Sequence, residues 1–230
     1  MQIDILSLFP EYFQGPFDVS ILKKAQEKNL IKINHVDLRK FGLGKHHKVD
    51  DRPYGGGPGM VLRPEPLAEA IRSVLTEDSY VILMSPQGKV LNSQKSQDLA
   101  KKSHLIIICG HYEGVDERII QSFVDEEVSI GDFILTNGGP AAIVLVEAVS
   151  RFVPLVLGHE EAAYQDSFSN GIFDAPHYTR PYDFEGMKVP DVLVNGHHSL
   201  IQQWREKKAY EKTKLVRPDI IESLTTDKIN

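Results

Sequence analysis

Five short apolar runs, each closed by turn residues, alternate with helix-like stretches up to Phe152, and this alternation restricts the fold more than any other feature. The runs are Ile3 to Leu8, Ile31 to Leu38, Val81 to Met84, Leu105 to Cys109 and Val128 to Leu135. Between them Ile21, Leu22, Ala25 and Leu30 follow a helical period, and Pro64 to Leu75 starts at a proline with Leu67, Ala70, Ile71, Val74 and Leu75 on one face. Asn92 is placed to cap a helix through Lys101. Gly114 to Val124 turns Ile119, Ile120 and Phe123 inward, and Pro140 to Phe152 is almost wholly apolar, which predicts a buried helix. Strand–helix–strand repeats of this kind specify an α/β fold, a mostly parallel sheet with helices on both faces.

Three of the expected strands end in glycine-bearing turns: Ser85-Pro86-Gln87-Gly88, Gly110-His111-Tyr112-Glu113-Gly114 and Thr136-Asn137-Gly138-Gly139-Pro140. Ligands of open α/β sheets sit outside the carboxyl ends of the strands, so three such loops together predict a pocket. A fourth segment, Asp50 to Met60, holds Gly55-Gly56-Gly57-Pro58-Gly59 behind Asp50-Asp51-Arg52-Pro53-Tyr54. Neither a packed helix nor a central strand accepts that composition, and a run of this kind lets backbone N–H groups approach a ligand. It lacks the lysine and Ser/Thr of a phosphate-cradling loop and the spacing of the dinucleotide fingerprint. On composition alone, an exposed loop without a ligand stays open as the alternative.

With 230 residues, 41% hydrophobic and 25% charged, the chain is long enough for a substantial core and is expected to form one domain of medium size and one small one. Its single cysteine, Cys109, excludes an internal disulfide. The amino terminus carries acid where an export signal carries base and no apolar run spans a bilayer, so a cytoplasmic, membrane-free protein is expected. The net charge is −6, but residues 171–230 hold nine basic and nine acidic side chains, so the deficit lies before them. In that tail Arg205, Lys207, Lys208, Lys212, Lys214 and Arg217 face Glu206 and Glu211, a local basic stripe suited to phosphates. Gly158 to Asn170 is polar and aperiodic and reads as a linker. His46-His47 and His197-His198 are adjacent pairs that point apart on regular structure, so neither predicts a metal site.

Taken in order, these strings resemble the bacterial tRNA (guanine-N1)-methyltransferases that modify the guanosine 3′ to the anticodon, a family of the knotted SPOUT superfamily. The resemblance runs through Ile5 to Pro10, Val49 to Met60, Leu83 to Gly88, Tyr112 to Arg118, Ser129 to Asp132, Val149 to Phe152, Asp166 to Phe168 and Pro176 to Pro181. Sequence physics alone predicts an unknotted sheet; a deep trefoil knot is implied by the family only. The resemblance further implies a catalytic domain over residues 1–158, a flexible linker over 159–173 and a small helical tRNA-binding domain over 174–230. S-adenosylmethionine would contact Pro86, Gly110, Glu113 and the segment Ile130, Gly131, Asp132, Phe133, Ile134 and Leu135. It also implies a homodimer with shared sites and stimulation by Mg2+, for which no ligand cluster stands out.

Methylation at guanine N1 needs an acceptor for the N1 proton and a positive group near O6, where negative charge builds. By resemblance, Asp166 of Asp-Ser-Phe is the base and Arg151 of Ser-Arg-Phe stabilises O6. A carboxylate is a weak base toward guanine, so help at O6 or desolvation must carry much of the work. Two departures stand out. His111 replaces the family's arginine in Gly-Arg-Tyr-Glu-Gly, and Asn137-Gly138-Gly139-Pro140-Ala141-Ala142 replaces Gly-Gly-Glu-Leu-Pro-Ala.

Overall fold

In the computed structural model, which describes residues 1–159 and 162–226, the chain divides between residues 160 and 161 into two compact units. The first opens with β1 (Gln2–Ser7), α1 (Ser20–Glu27), β2 (Lys32–Asp37), the two-residue strands β3 (Asp50–Asp51) and β4 (Val61–Leu62), and α2 (Pro64–Arg72). It continues through β5 (Ser79–Val90), α3 (Ser93–Ala100), β6 (His104–Cys109), α4 (Glu117–Phe123), β7 (Glu126–Ser129) and α5 (Gly139–Ser150). Five strands form one parallel sheet, as the apolar runs predict, and their order is β2-β1-β6-β5-β7. Asn92 caps α3, its side-chain oxygen accepting the Lys95 N–H at 2.8 Å.

Alternation along the strands sends side chains to two cores. Leu105, Ile107 and Cys109 of β6 join Ile3, Ile5, Leu22, Leu99, Leu145 and Val149 on one face. Ile106 and Ile108 join Leu6, Leu67, Ile71, Leu83 and Ile119 on the other. Both faces of the sheet are thus covered by helices, and every strand points its carboxyl end to one edge.

Two expected elements change shape. The strand expected over Val128 to Leu135 ends at Ser129, because the Ser129 hydroxyl accepts the Gly131 N–H and donates to the Gly131 carbonyl, both at 3.1 Å. Gly131 has φ +145°, outside the extended region, and residues 130–136 leave the sheet as turns. In β5 the register shifts between Met84 and Lys89, so that Ser85-Pro86-Gln87-Gly88 arches out before Lys89 and Val90 pair again with β7.

At the amino edge the chain seals its polar groups. The Asp4 carboxylate accepts from Gln2 at 2.7 Å, from Asn34 at 2.7 Å and from the His104 Nε2 at 2.6 Å. The other ring nitrogen, Nδ1, lies 2.8 Å from the Ser79 hydroxyl, so both sides of the His104 ring are spent on neighbouring strand ends.

The second unit holds α6 (Ala162–Gln165), an antiparallel hairpin of β8 (Asp183–Phe184) and β9 (Met187–Lys188), and the helices α7 (His198–Val216) and α8 (Pro218–Thr226). Thr213 is buried in α7; its hydroxyl accepts the Phe173 N–H at 2.9 Å and donates to the Ala209 carbonyl at 2.8 Å, tying the segment before the hairpin to the helix. Arg205, Lys207, Lys212 and Lys214 are exposed on α7. The linker expected over 159–173 includes Glu160 and Glu161, and the domain expected over 174–230 ends in residues 227–230; these six lie outside the described residues. No helix among the described residues is long and apolar enough to cross a membrane.

Candidate active site

The loops after β6 and β7 and the arch of β5 meet at the carboxyl edge around a cavity of about 540 Å3. Pro86 and Gln87 form one wall, Gly110 to Gly114 the second, and Ile130, Gly131 and Phe133 to Gly138 the third. Glycine permits the convergence at Gly138: a Cβ there would lie 2.9 Å from the Cys109 Cα and the Gly110 nitrogen. Without one, the Gly138 N–H reaches the Gly110 carbonyl at 2.8 Å and His111 bridges Asn137.

The second loop is held from beneath by the glycine-rich segment. β3 and β4 pair as a hairpin whose tip is Arg52 to Met60; the Glu113 N–H donates to the Met60 carbonyl at 3.0 Å and the Leu62 N–H to the Gly114 carbonyl at 2.9 Å. The Glu113 side chain lies against the Gly59 Cα, in space that any Cβ would take. None of residues 50–60 lines the cavity, so this segment supports the site's wall while Tyr54 and Gly55 to Gly57 project into solvent.

Beside that wall stands a small aromatic group. The His111 ring lies 4.4 Å from the Tyr112 ring and 5.5 Å from Phe9, and the Arg39 guanidinium sits 5.0 Å over Phe9. Burial, then the charge of Arg39, lowers the His111 pKa, with Asp50 pulling the other way. Burial raises the Tyr112 pKa, helped by a hydrogen bond to Asp50. Cys109, behind the cavity, is pushed far up by burial alone and stays a thiol.

Of the residues expected at a cofactor, Pro86, Gly110, Glu113, Ile130, Gly131, Phe133, Ile134 and Leu135 line the cavity; Asp132 is exposed and does not. Arg151 is half-buried immediately after α5, about 18 Å of helix from Gly139, the residue that follows Gly138 of the cavity lining. Asp166 is exposed just after α6, in the other unit. Glu127 and Asn137 also line the cavity, Asn137 within a loop expected there but with no contact of its own expected, and Glu127 unassigned by sequence. Asn137 had a signal, standing before two glycines in a turn; Glu127 lies inside a strand and had none. No group of three or more His, Cys, Asp or Glu placed to hold a metal occurs among the described residues.

A family model described as tRNA (Guanine-1)-methyltransferase TrmD matches residues 1–223. A tRNA (guanine-N(1)-)-methyltransferase of Protochlamydia amoebophila is 57% identical over 221 residues, 96% of this chain and 100% of the relative. One of Dictyoglomus turgidum is 55% identical over 99% of this chain and 93% of its own length, and one of Carboxydothermus hydrogenoformans 51% identical over 96% and 87%. With a cavity of this construction at the carboxyl edge and similarity over almost its whole length, the chain belongs to the TrmD family of tRNA (guanine-1)-methyltransferases.

Proposed function

We propose that this protein transfers the methyl group of S-adenosylmethionine to N1 of the guanosine at position 37 of tRNA, 3′ to the anticodon. The observation that carries the reading is the convergence of three strand-end loops on one cavity in a member of this family. The cavity fits the donor: its volume is in the range of small-molecule sites, Ile130, Phe133, Ile134 and Leu135 give it an apolar wall, and Glu113 supplies a carboxylate for an ammonium. When bound, the donor supplies a methyl group on a positively charged sulfur. Asp166 would take the N1 proton, leaving the N1 electron pair to accept the methyl group that the donor would supply, with the neutral thioether as leaving group. Arg151 offsets the charge that grows on O6.

A homodimer with shared sites accounts for the separation of Arg151 from its own cavity, and a backbone knot accounts for the contacts at Gly88 and Gly138, each pressed against the backbone of another strand or strand end. The second unit grips the tRNA through phosphates with the basic residues of α7, which makes affinity fall steeply with salt. The described residues build no cage for the Mg2+ that the resemblance implies, and no step is routed through it. The test is single-turnover transfer from labelled S-adenosylmethionine to unmodified tRNA with or without guanine at position 37. Transfer is expected only to the guanine form, and Asp166→Asn is expected to bind the donor normally while losing nearly all transfer. Full single-turnover activity in that variant removes Asp166 from the chemistry.

A further inference from the structure

We propose that His111 is a positioning residue whose neutral imidazole holds the Tyr112-Glu113 turn in its cofactor-binding shape, so that protonation of this ring weakens cofactor binding. The Tyr112 N–H donates to His111 Nδ1 at 3.0 Å, which requires a lone pair there and places the ring proton on Nε2. Tyr112 itself has φ +58°, a sparsely populated conformation for a side chain of this size, so the turn depends on its surroundings to persist. Besides that bond it is held by the Gly114 N–H on the His111 carbonyl at 3.1 Å and the Glu113 N–H on Met60. His111 and Glu113 both line the cavity.

An imidazolium carries a proton on both nitrogens. At Nδ1 that proton would face the Tyr112 N–H, two donors 3.0 Å apart, and the ring would have to leave its place between Phe9 and Tyr112. The charged groups that act on the ring are Arg39 of the helical turn Leu38–Phe41 and Asp50 of β3, with the Tyr112 phenol bonded to Asp50; Glu113 of the same loop turns its side chain to Gly59. Burial and Arg39 outweigh Asp50, so the folded chain favours the neutral ring. The sign follows. The contact is complete above the ordinary histidine value of 6.5 and is lost as pH falls through the depressed value of the folded protein.

The inference rests on the cofactor reading above, and the experiment separates the two. Calorimetric affinity for S-adenosylmethionine is measured between about pH 5 and pH 7 for the full chain and for His111→Ala and His111→Asn, with nitrogen NMR of the His111 ring and the Tyr112 amide in the unliganded protein. Asn places an oxygen acceptor close to the position of Nδ1 and does not titrate. The parent chain is expected to lose affinity in acid, by up to about tenfold per pH unit for one proton, while the Tyr112 amide loses its exchange protection. His111→Ala is expected to bind several-fold more weakly at pH 7, and His111→Asn to recover most of that loss, both with shallower pH profiles than the parent. Every other group of the site and the ligand is common to all three proteins, so the difference between profiles belongs to His111. A parent profile that coincides with that of His111→Asn, or an Nδ1 protonated at neutral pH, overturns the inference alone. Absence of binding by all three proteins at every pH overturns the cofactor reading and the inference with it.

Discussion

At the amino edge of the sheet Asp4, His104, Ser79, Asn34 and Gln2 are spent on one another; at the carboxyl edge Glu113, Glu127 and the loop backbones face a cavity. The same strands build both edges. Ser79, His104 and Asp4 even stand in the order of a hydrolytic triad, with 2.8 and 2.6 Å contacts. Yet Asp4 and His104 are 2% and 5% exposed, and Ser79 Oγ accepts the Thr76 N–H at 2.8 Å, so the cluster ties strand ends together instead of meeting a substrate. The difference teaches that a constellation becomes a site through access and unspent bonding capacity, which here only the carboxyl edge retains.

Removing Asp4 should break this comparison most severely if it is mistaken. Asp4→Ala leaves Gln2, Asn34 and His104 without their common acceptor in a sealed place, and the expected loss is about 3–5 kcal/mol, read as a large fall in Tm. Cofactor affinity, measured where the variant is still folded, should stay near that of the parent. A selective loss of affinity with normal Tm would mean the amino edge serves the site.

Glu113→Gln tests the other edge, with the opposite pattern. Glu113 lines the cavity and its side chain lies against Gly59; under the function proposed above, a charged hydrogen bond from the cofactor ammonium to that carboxylate is worth about 1.5–3 kcal/mol, or roughly ten- to a hundredfold in affinity. The amide has nearly the same shape, so the melting temperature of the unliganded protein should hardly change. A fall in Tm with unchanged affinity would make Glu113 a structural residue.

The two edges also differ in how far a sequence reveals them. The carboxyl loops were legible because turn chemistry is local: Gly88, Gly110 and Gly138 announce tight turns within a few residues, and the apolar runs fix the strands they close. What was not legible is why glycine is needed. Gly138 lies against Cys109 and Gly110, and Gly88 against Glu127 and Val128, contacts set by chain segments that no local window contains. The amino-edge cluster was invisible for the same reason, since Asp4 and His104 are 100 residues apart in sequence. Val128 to Leu135 misled because its apolar content is that of a strand, whereas a serine hydroxyl and one glycine end the strand after Ser129. The glycine-rich segment was recognised as unusual, but its place under Glu113 instead of in the cavity depends on the β3–β4 pairing.

The smallest expected effect concerns the helix that follows the third cavity loop. α5 runs from Gly139 to Ser150 and lends Ala141 of its first turn to the cavity, and among the described residues the Ser150 hydroxyl is the buried side-chain polar group with no hydrogen-bond partner. A stranded buried hydroxyl costs stability, and alanine removes it while opening only a very small space, so Ser150→Ala should stabilise the chain by up to about 1 kcal/mol. Thermal melts of the two proteins at several concentrations check this. A gain that does not vary with concentration is the outcome for a hydroxyl stranded inside one chain. A loss of stability that grows on dilution would instead assign the hydroxyl to a bond with a second copy, and would bring the end of α5, with Arg151 beside it, into the homodimer proposed above.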